Sequence, residues 1–402
     1  MSFSVIPLFL SLLIVSSASQ KEHPRYMPRY EAIEAQFKVI HNFTGLADGG
    51  GPLSPLLKAH DDCLYGTVAG GKQHNGTVFK IGQDDKLYPV YTFNGPKGAE
   101  PFGPLVYASD GNIYGTTQFG GDHGQGIIFK IGDDDKLSVV HHFIGHPEGS
   151  VPISIAEVNG TFYGTTGSGG AYNKGTIFAM DLKGEHLKTL FSFSHKAGAE
   201  FPLLIVDFNH ELYGISLYGE KNFAGTLFQL SQNNTLHIIF DFDEHNTASV
   251  PTSITVGPCA ATSCIFTAYG HEGSILQVDG KGIYHYLFFN PVGLDSVLPF
   301  TLMTGSNNNL FGTAVGYSPY VNGTPPCGGI FSYDQNQLRT TVLHSFQKNN
   351  PANMRGCQPK VAPTEREQGI FYGTSFNGGP AGAGVVYKLV IPHMMKDVEL
   401  TD

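Results

Sequence analysis

Past residue 36 the chain is a succession of short apolar and β-branched runs broken by Gly, Pro, Asn and Asp, and no stretch holds a helical period. The runs repeat. An apolar–Tyr/Phe–Gly–Thr element recurs as Leu64-Tyr65-Gly66-Thr67, Ile113-Tyr114-Gly115-Thr116, Phe162-Tyr163-Gly164-Thr165, Leu212-Tyr213-Gly214, Leu310-Phe311-Gly312-Thr313 and Phe371-Tyr372-Gly373-Thr374. A degraded copy, Ile265-Phe266-Thr267-Ala268, fills the gap after the fourth, which makes seven copies about fifty residues apart. Three further elements keep the same phase. A Gly-x-apolar-aromatic run follows each copy, beginning at Gly76, Gly126, Gly175, Gly225, Gly273, Gly328 and Gly384, with Leu276 in place of the aromatic in the fifth. A run ending in Phe43, Phe93, Phe143, Phe193, Phe242, Phe289 or Phe346 comes next, and then a proline: Pro52, Pro101, Pro152, Pro202, Pro251, Pro299 or Pro359.

These runs predict four strands per repeat: A after the proline, B with Tyr-Gly-Thr, C with Gly-x-apolar-aromatic, and D ending in Phe. Ser109-Asp110-Gly111-Asn112 predicts a tight A–B turn and Gly132-Asp133-Asp134-Asp135 a tight C–D turn. Paired glycines such as Gly70-Gly71 and Gly169-Gly170 mark the B–C connections. The unit is an antiparallel meander, and radial repetition makes it a propeller blade. The phase at the two ends predicts closure. The repeats start with a lone D strand, residues 37–43, and stop after A, B and C near Leu389. The first strand therefore completes the last blade, and a ring closed in that way has no open edge. The expectation is an all-β, seven-bladed β-propeller over residues 37–391, flanked by an N-terminal extension, 20–36, and a C-terminal tail, 392–402.

Leu-Tyr-Gly-Thr followed by Gly-Gly and Gly-Thr-Val-Phe, clearest over residues 60–230, resembles the GloVer-type tandem repeat of surface-anchored and secreted bacterial proteins. That resemblance implies a secreted β-repeat protein without an established activity, and it carries over no catalytic residues.

Composition narrows the partners. The net charge of −10 and the lack of any Lys/Arg block disfavour nucleic acid and anionic membranes. Residues 1–19 read as an export signal: Val5 to Val15 is apolar, Ser17-Ala18-Ser19 offers small residues for cleavage, and no later run reaches transmembrane length. A secreted, extracellular monomer follows. In an oxidising compartment Cys259 and Cys264 would staple a hairpin, Cys327 and Cys357 would cross-link the repeat with long insertions, and Cys63, beside an apolar strand, would remain a buried thiol. Sequons stand at Asn42, Asn75, Asn159, Asn233 and Asn322. Asn42, inside a strand, is the weakest acceptor, while Asn75, Asn233 and Asn322 fall in loops or turns.

In a propeller the D–A and B–C loops share one face. The candidate ligand residues there are His146, Glu148, His195, Glu200, Glu244 and His245 from D–A loops, and His74, His123, Tyr172 and His271 from B–C loops. His146, His195 and His245 hold near-equivalent places, which reads as duplicated surface histidine rather than as one metal site, since neighbouring blades hold such positions apart. His41, His141 and His344 share one D-strand position with Tyr91 and Phe191 and read as a half-buried packing slot. Asp84-Asp85 and Asp133-Asp134-Asp135 read as solvated turns rather than calcium loops, because later blades replace them. No Ser-His-Asp set, metalloprotease motif or dinucleotide fingerprint occurs, so no catalytic residue, metal or cofactor is assigned. Three expectations stand. The first is a non-catalytic module presenting its loop-rich face to a glycan or an extracellular protein. The second is a propeller-type lyase or hydrolase working with the D–A loop carboxylates and imidazoles. The third is a structural component of an extracellular matrix or wall.

Overall fold

The computed structural model describes residues 35–395, apart from 71–74, 195–198, 209–210, 220–224, 243–250, 260–261, 270–273, 280–282, 289–296, 317–326 and 347–355. The strands form seven antiparallel sheets, each running A-B-C-D in space, so the protein is a seven-bladed β-propeller. The closing blade pairs the first strand with the last: Gln36–Asn42 lies antiparallel to Val385–Val390, from Gln36↔Val390 to Asn42↔Val385. In blades 1 and 2 strand A is split in two, Gly50–Pro52 with Leu57–Lys58 and Ala99–Pro101 with Val106–Tyr107. Pro55 and Pro104 sit in the gaps, where they have no N–H for the ladder.

Each repeated residue has a packing reason. The glycine of Tyr-Gly-Thr faces the aromatic of strand C across the ladder: Gly66↔Phe79, Gly115↔Phe129, Gly164↔Phe178, Gly214↔Phe228, Gly312↔Phe331 and Gly373↔Tyr387. A Cβ at Gly115 would stand 2.5 Å from Phe129 Cζ, so the ring occupies the space the missing side chain leaves. The fifth blade solves the same problem differently: Thr267 has a side chain, and its cross-strand partner is the smaller Leu276. The degraded copy is a compensated pair.

The other repeated positions join neighbouring blades. Phe43, Phe93, Phe143 and Phe193, at the ends of D strands, meet Phe79, Phe129, Phe178 and Phe228 of the next blade edge to face, at 5.3–5.5 Å between centroids. All eight rings are fully or almost fully buried, each contributing about 1.5–3 kcal/mol of burial. The N–H of each such Phe donates to the glycine that opens strand C of its own blade, as Phe43 does to Gly384 and Phe143 to Gly126, at 3.0 Å. That glycine has φ near +90° (Gly76 +90°, Gly126 +96°, Gly384 +98°) and lies under the proline of the following blade. A Cβ on Gly126 would be 2.4 Å from Pro152 Cδ, and one on Gly384 would be 2.9 Å from Pro52 Cδ, which repeats the contact across the closing junction.

The turn aspartates are not simply solvated. Asp85, in the C–D turn of blade 1, accepts from Tyr372 Oη at 2.5 Å and Lys388 Nζ at 2.8 Å, both on blade 7. Asp135, in the corresponding turn of blade 2, accepts from Tyr65 Oη at 3.1 Å and pairs with Lys80, both on blade 1. The expectation of free solvated turns is corrected for these two residues: a propeller brings each C–D turn beside the B and C strands of the preceding blade. In blade 3 Gly184 takes the place of the aspartate, and Tyr114 Oη donates to the Leu182 carbonyl instead. The closing junction has further ties. Buried Arg366 donates to the Gly82 carbonyl at 3.1 Å, Lys58 donates to the Arg366 carbonyl at 2.7 Å, and Thr364 donates to the Leu56 carbonyl at 2.6 Å.

Burial opposes ionisation of Asp85, but the hydrogen bonds from Lys388 and Tyr372 and the nearby Lys388 and Arg366 charges outweigh it, so its carboxyl titrates below the ordinary value. A depressed carboxyl stabilises the fold above its unfolded pKa of about 3.9, and the stabilisation is lost as pH falls through the folded value. Asp85→Asn is expected to cost roughly 1–3 kcal/mol at pH 7, between an exposed and a buried pair. The cost should shrink at pH 3 and below. Urea unfolding at both pH values checks this, and an equal loss at each would remove the ion pair from the account.

Both disulfides form as read. Cys259–Cys264 closes the A–B hairpin of blade 5, and Cys327–Cys357 ties the start of strand C in blade 6 to the start of strand A in blade 7. Cys63 is a thiol but only half-buried, not buried as expected; burial and the neighbouring Asp61 push it up to about 11, which leaves it protonated at neutral pH.

Candidate functional site

The loop-rich face is best described where blades 2 and 3 meet. Mutual hydrogen bonds between Gly145 and Gly149, at 3.1 and 2.6 Å, pinch the D–A loop into a small hairpin carrying His146, cis Pro147 and Glu148. His146 Nδ1 lies 3.0 Å from the Gly170 carbonyl, in the B–C loop of blade 3, so the two loop types do share a face. Glu148 turns inward to His141 Nε2; their side chains are only 11% and 18% exposed. The Glu148 carbonyl accepts from Thr176 at 3.0 Å, and the residue braces the loop. The same brace recurs where blades 7 and 1 meet: His41 Nε2 lies 3.1 Å from Asp48, which also accepts from the Thr44 backbone N–H. The packing slot read for His41 and His141 thus carries an acid seven residues downstream. His344 uses the slot for stacking, 3.7 Å from the Phe37 ring and nearly parallel to it. His–x–Phe with Asp or Glu at that spacing was the signal in the sequence that went unread.

In the B–C loop of blade 2 the Asp122 N–H donates to His142 Nδ1 at 3.0 Å, and His123 is exposed. Gly120, Gly121 and Gly124, all with φ between +69° and +82°, let this loop double back. Three large side chains on the same face are open to solvent: Tyr172 at 63%, Ile144 at 52% and Phe119 at 44%. His74, His195, Glu244, His245 and His271 lie outside the described residues, and so does the side chain of Glu200.

The turn face differs. Asp181, Glu185 and His186 of blade 3 come within 4.8 Å of one another, the one such grouping among the described residues. Asp181 already holds His186 at 3.0 Å and accepts from the Lys183 and Glu185 N–H groups. Asn159 and Asn233 are exposed in turns of this face. Asn75 is half-buried, with its carbonyl accepting from Glu100 N–H, and Asn42 is half-buried within the closing strand. Asn322 lies outside the described residues. Among the described residues no helix is long and apolar enough to cross a membrane.

Solved structures share this architecture. A streptogramin B lyase superposes with a TM-score of 0.59 at 13% identity, over 88% of this chain and 97% of that one. Virginiamycin B lyase from Staphylococcus aureus gives 0.59 at 14%, over 89% and 99%. An oligogalacturonate lyase in complex with manganese gives 0.54 at 9%, over 90% and 98%. At such identities the likeness shows the fold alone. No curated protein matches the chain by sequence. A family model does: the Gloeobacter/Verrucomicrobia repeat matches residues 26–157 and 132–273, more than half of the chain. The tandem fifty-residue unit, its blade-building packing and this match agree, and the chain belongs to the Gloeobacter/Verrucomicrobia repeat family.

Proposed function

We propose that the protein is an exported, non-catalytic binding module whose loop-rich face, at blades 2 and 3, engages a glycan or an extracellular protein. The observation that carries this reading is the division of labour on that face. His141, Glu148, His142 and His146 are committed to holding loops, while the side chains of Tyr172, Ile144, Phe119 and His123 are exposed to solvent. Exposed aromatics on pinned loops offer contact area at low entropic cost. Asn159 and Asn233, on the opposite face, would carry glycans without obstructing it.

A glycan array and a pull-down from extracellular matrix extract, both with the intact chain, test the reading. Tyr172→Ala is expected to weaken the captured ligand about tenfold or more, as for a truncated aromatic anchor. Binding unchanged in Tyr172→Ala, or no ligand in either assay, would count against it. The shared architecture with lyases motivates a second reading, a carbohydrate-directed lyase using His146, Glu148, His195, Glu200, Glu244 and His245. Turnover of an oligogalacturonate by the wild type, abolished when these six are replaced by alanine, would favour it over the first.

A further inference from the structure

Strand D is the outermost strand of each blade, and its far side is a sheet edge. Such an edge is a template for another chain, and proteins blunt it with bulges, prolines and charges. Six of the seven D strands are bulged. The extra residue is Val90 in blade 1, Val140 in blade 2, Leu190 in blade 3, Ile239 in blade 4, Leu343 in blade 6 and Ile40 in blade 7. Five of these six add Pro89, Lys188, Asp241, Arg339 or Lys38. Blade 5 uses none of these devices. Its strand D, Tyr284–Phe288, pairs with strand C residue for residue, from Tyr284↔Val278 to Phe288↔Ser274, without a register shift. It contains no proline and no Asp, Glu, Lys or Arg.

The same strand is the most open of the seven. Tyr284, His285 and Tyr286 are all exposed, as is Ile283 before them, and no other D strand has more than two exposed residues in a row. Tyr286 stands opposite Leu276 of strand C, where the other D strands put Val39, Pro89, Val139, Thr189, Ile238 and Val342. The Tyr284 and Tyr286 rings meet Phe240 of blade 4 edge to face, at 5.1 and 6.2 Å between centroids. They form an aromatic ledge beside the edge, with Tyr284 half open to solvent. The backbone direction follows from the turn. Asp279 N–H donates to the Ile283 carbonyl at 3.0 Å, so alternate residues His285 and Leu287 bond inward to strand C. The N–H and C=O of Tyr284 therefore point outward. Strand C is the one strand paired with this one among the described residues.

We propose that the outer edge of blade 5 is a strand-addition site for an extended, uncharged segment of a partner polypeptide. Its main chain pairs with Tyr284–Phe288, and β-branched or aromatic side chains at alternate positions rest on the Tyr284 ring. The strand offers no carboxylate, ammonium or guanidinium to attract a charged segment. A second copy fits less well: two rims would meet along five residues a side, where a stable interface takes about 20–30. The chain closes its own ring by the same device, with Gln36–Asn42 added to Val385–Val390. The edge is independent of the blade 2–3 rim, and either can fail without the other.

The test titrates a capped Thr-Val-Thr-Val-Thr-Val-Thr peptide into the full chain, followed by calorimetry and by hydrogen–deuterium exchange. The comparison peptide is N-methylated at two adjacent central amides, which takes an N–H from each of its edges. The parent peptide is expected to protect residues 283–288 from exchange, and the methylated one to bind at least about tenfold more weakly. Tyr284→Pro, which deletes an outward N–H, should lose the peptide, while Tyr284→Phe keeps it. No binding of the parent, equal binding of the methylated peptide, protection only elsewhere, or binding retained by Tyr284→Pro would each overturn the proposal. Self-association of the chain alone that Tyr284→Pro abolishes would put a second copy on the edge and overturn it too. Should Tyr284→Pro fail to fold, the two peptides and the exchange map on wild type still decide.

Discussion

Removing residues 36–42 is expected to abolish the cooperative native state rather than merely lower its melting temperature. The strand is the fourth member of the closing blade, paired with Val385–Val390 from end to end apart from a bulge at Ile40. Its Phe37 ring packs on His344 and Tyr387, at 3.7 and 5.2 Å, and edge-on to Phe346 at 5.6 Å, so its loss uncovers the core between blades 6 and 7. Phe43, immediately after the strand, would lose its anchor on the Gly384 carbonyl while its ring spans to Phe79 of blade 1. Together these losses are of the order of a domain's whole stability, roughly 5–15 kcal/mol. They also leave an unpaired apolar edge, which invites association between chains. Near-ultraviolet circular dichroism and size-exclusion chromatography should report lost tertiary structure and aggregation. A deletion variant that remained monomeric with wild-type unfolding would show that the ring does not depend on this strand. Phe37→Ala should be milder, about 2–4 kcal/mol, because that ring is only partly buried.

Gly115→Thr carries the second large effect. The new Cβ would be 2.5 Å from Phe129 Cζ and 2.7 Å from Leu105 Cδ2, in a core with no slack. Overpacking of this kind costs about 1–3 kcal/mol, and the upper end is expected because both neighbours are buried. Phe129→Leu alone leaves a void and loses the edge-to-face contact with Phe93, at about 1–3 kcal/mol. The double variant Gly115→Thr/Phe129→Leu recreates the Thr267–Leu276 pair of blade 5 and should be more stable than the sum of the single effects by about 1–2 kcal/mol. Chemical denaturation of the four proteins of the cycle measures that coupling. Strict additivity would mean that blade 5 tolerates its pair for some other reason.

The two halves of this picture were not equally legible. Tyr-Gly-Thr, Gly-x-apolar-aromatic, the Phe and the Pro are separate signals in the sequence, and their common phase is enough to count blades and to see that the ends complement one another. What each glycine faces was not legible: Gly66 meets Phe79 of its own blade, while Gly76 lies under Pro101 of the next. The disulfides were readable because Cys259 and Cys264 flank one short loop, and Cys327 and Cys357 sit in the one repeat with long insertions. Asp85 was misread as solvated because its partners, Tyr372 and Lys388, are about three hundred residues away along the chain. Of the candidate ligand residues, His146, Glu148, His123 and Tyr172 are placed on the expected face, and Glu148 alone among them is drawn inward by His141.

Sequence alone determined the strand order, the number of blades, the closure and the sorting of loops into two faces, because each follows from local alternation repeated at a constant period. The tertiary structure alone decided which charges are paired across blade junctions and which loop residues are braces. Those outcomes depend on the angle and distance between neighbouring sheets. Residues far apart in the chain meet only after the ring has closed, and no local pattern carries that information.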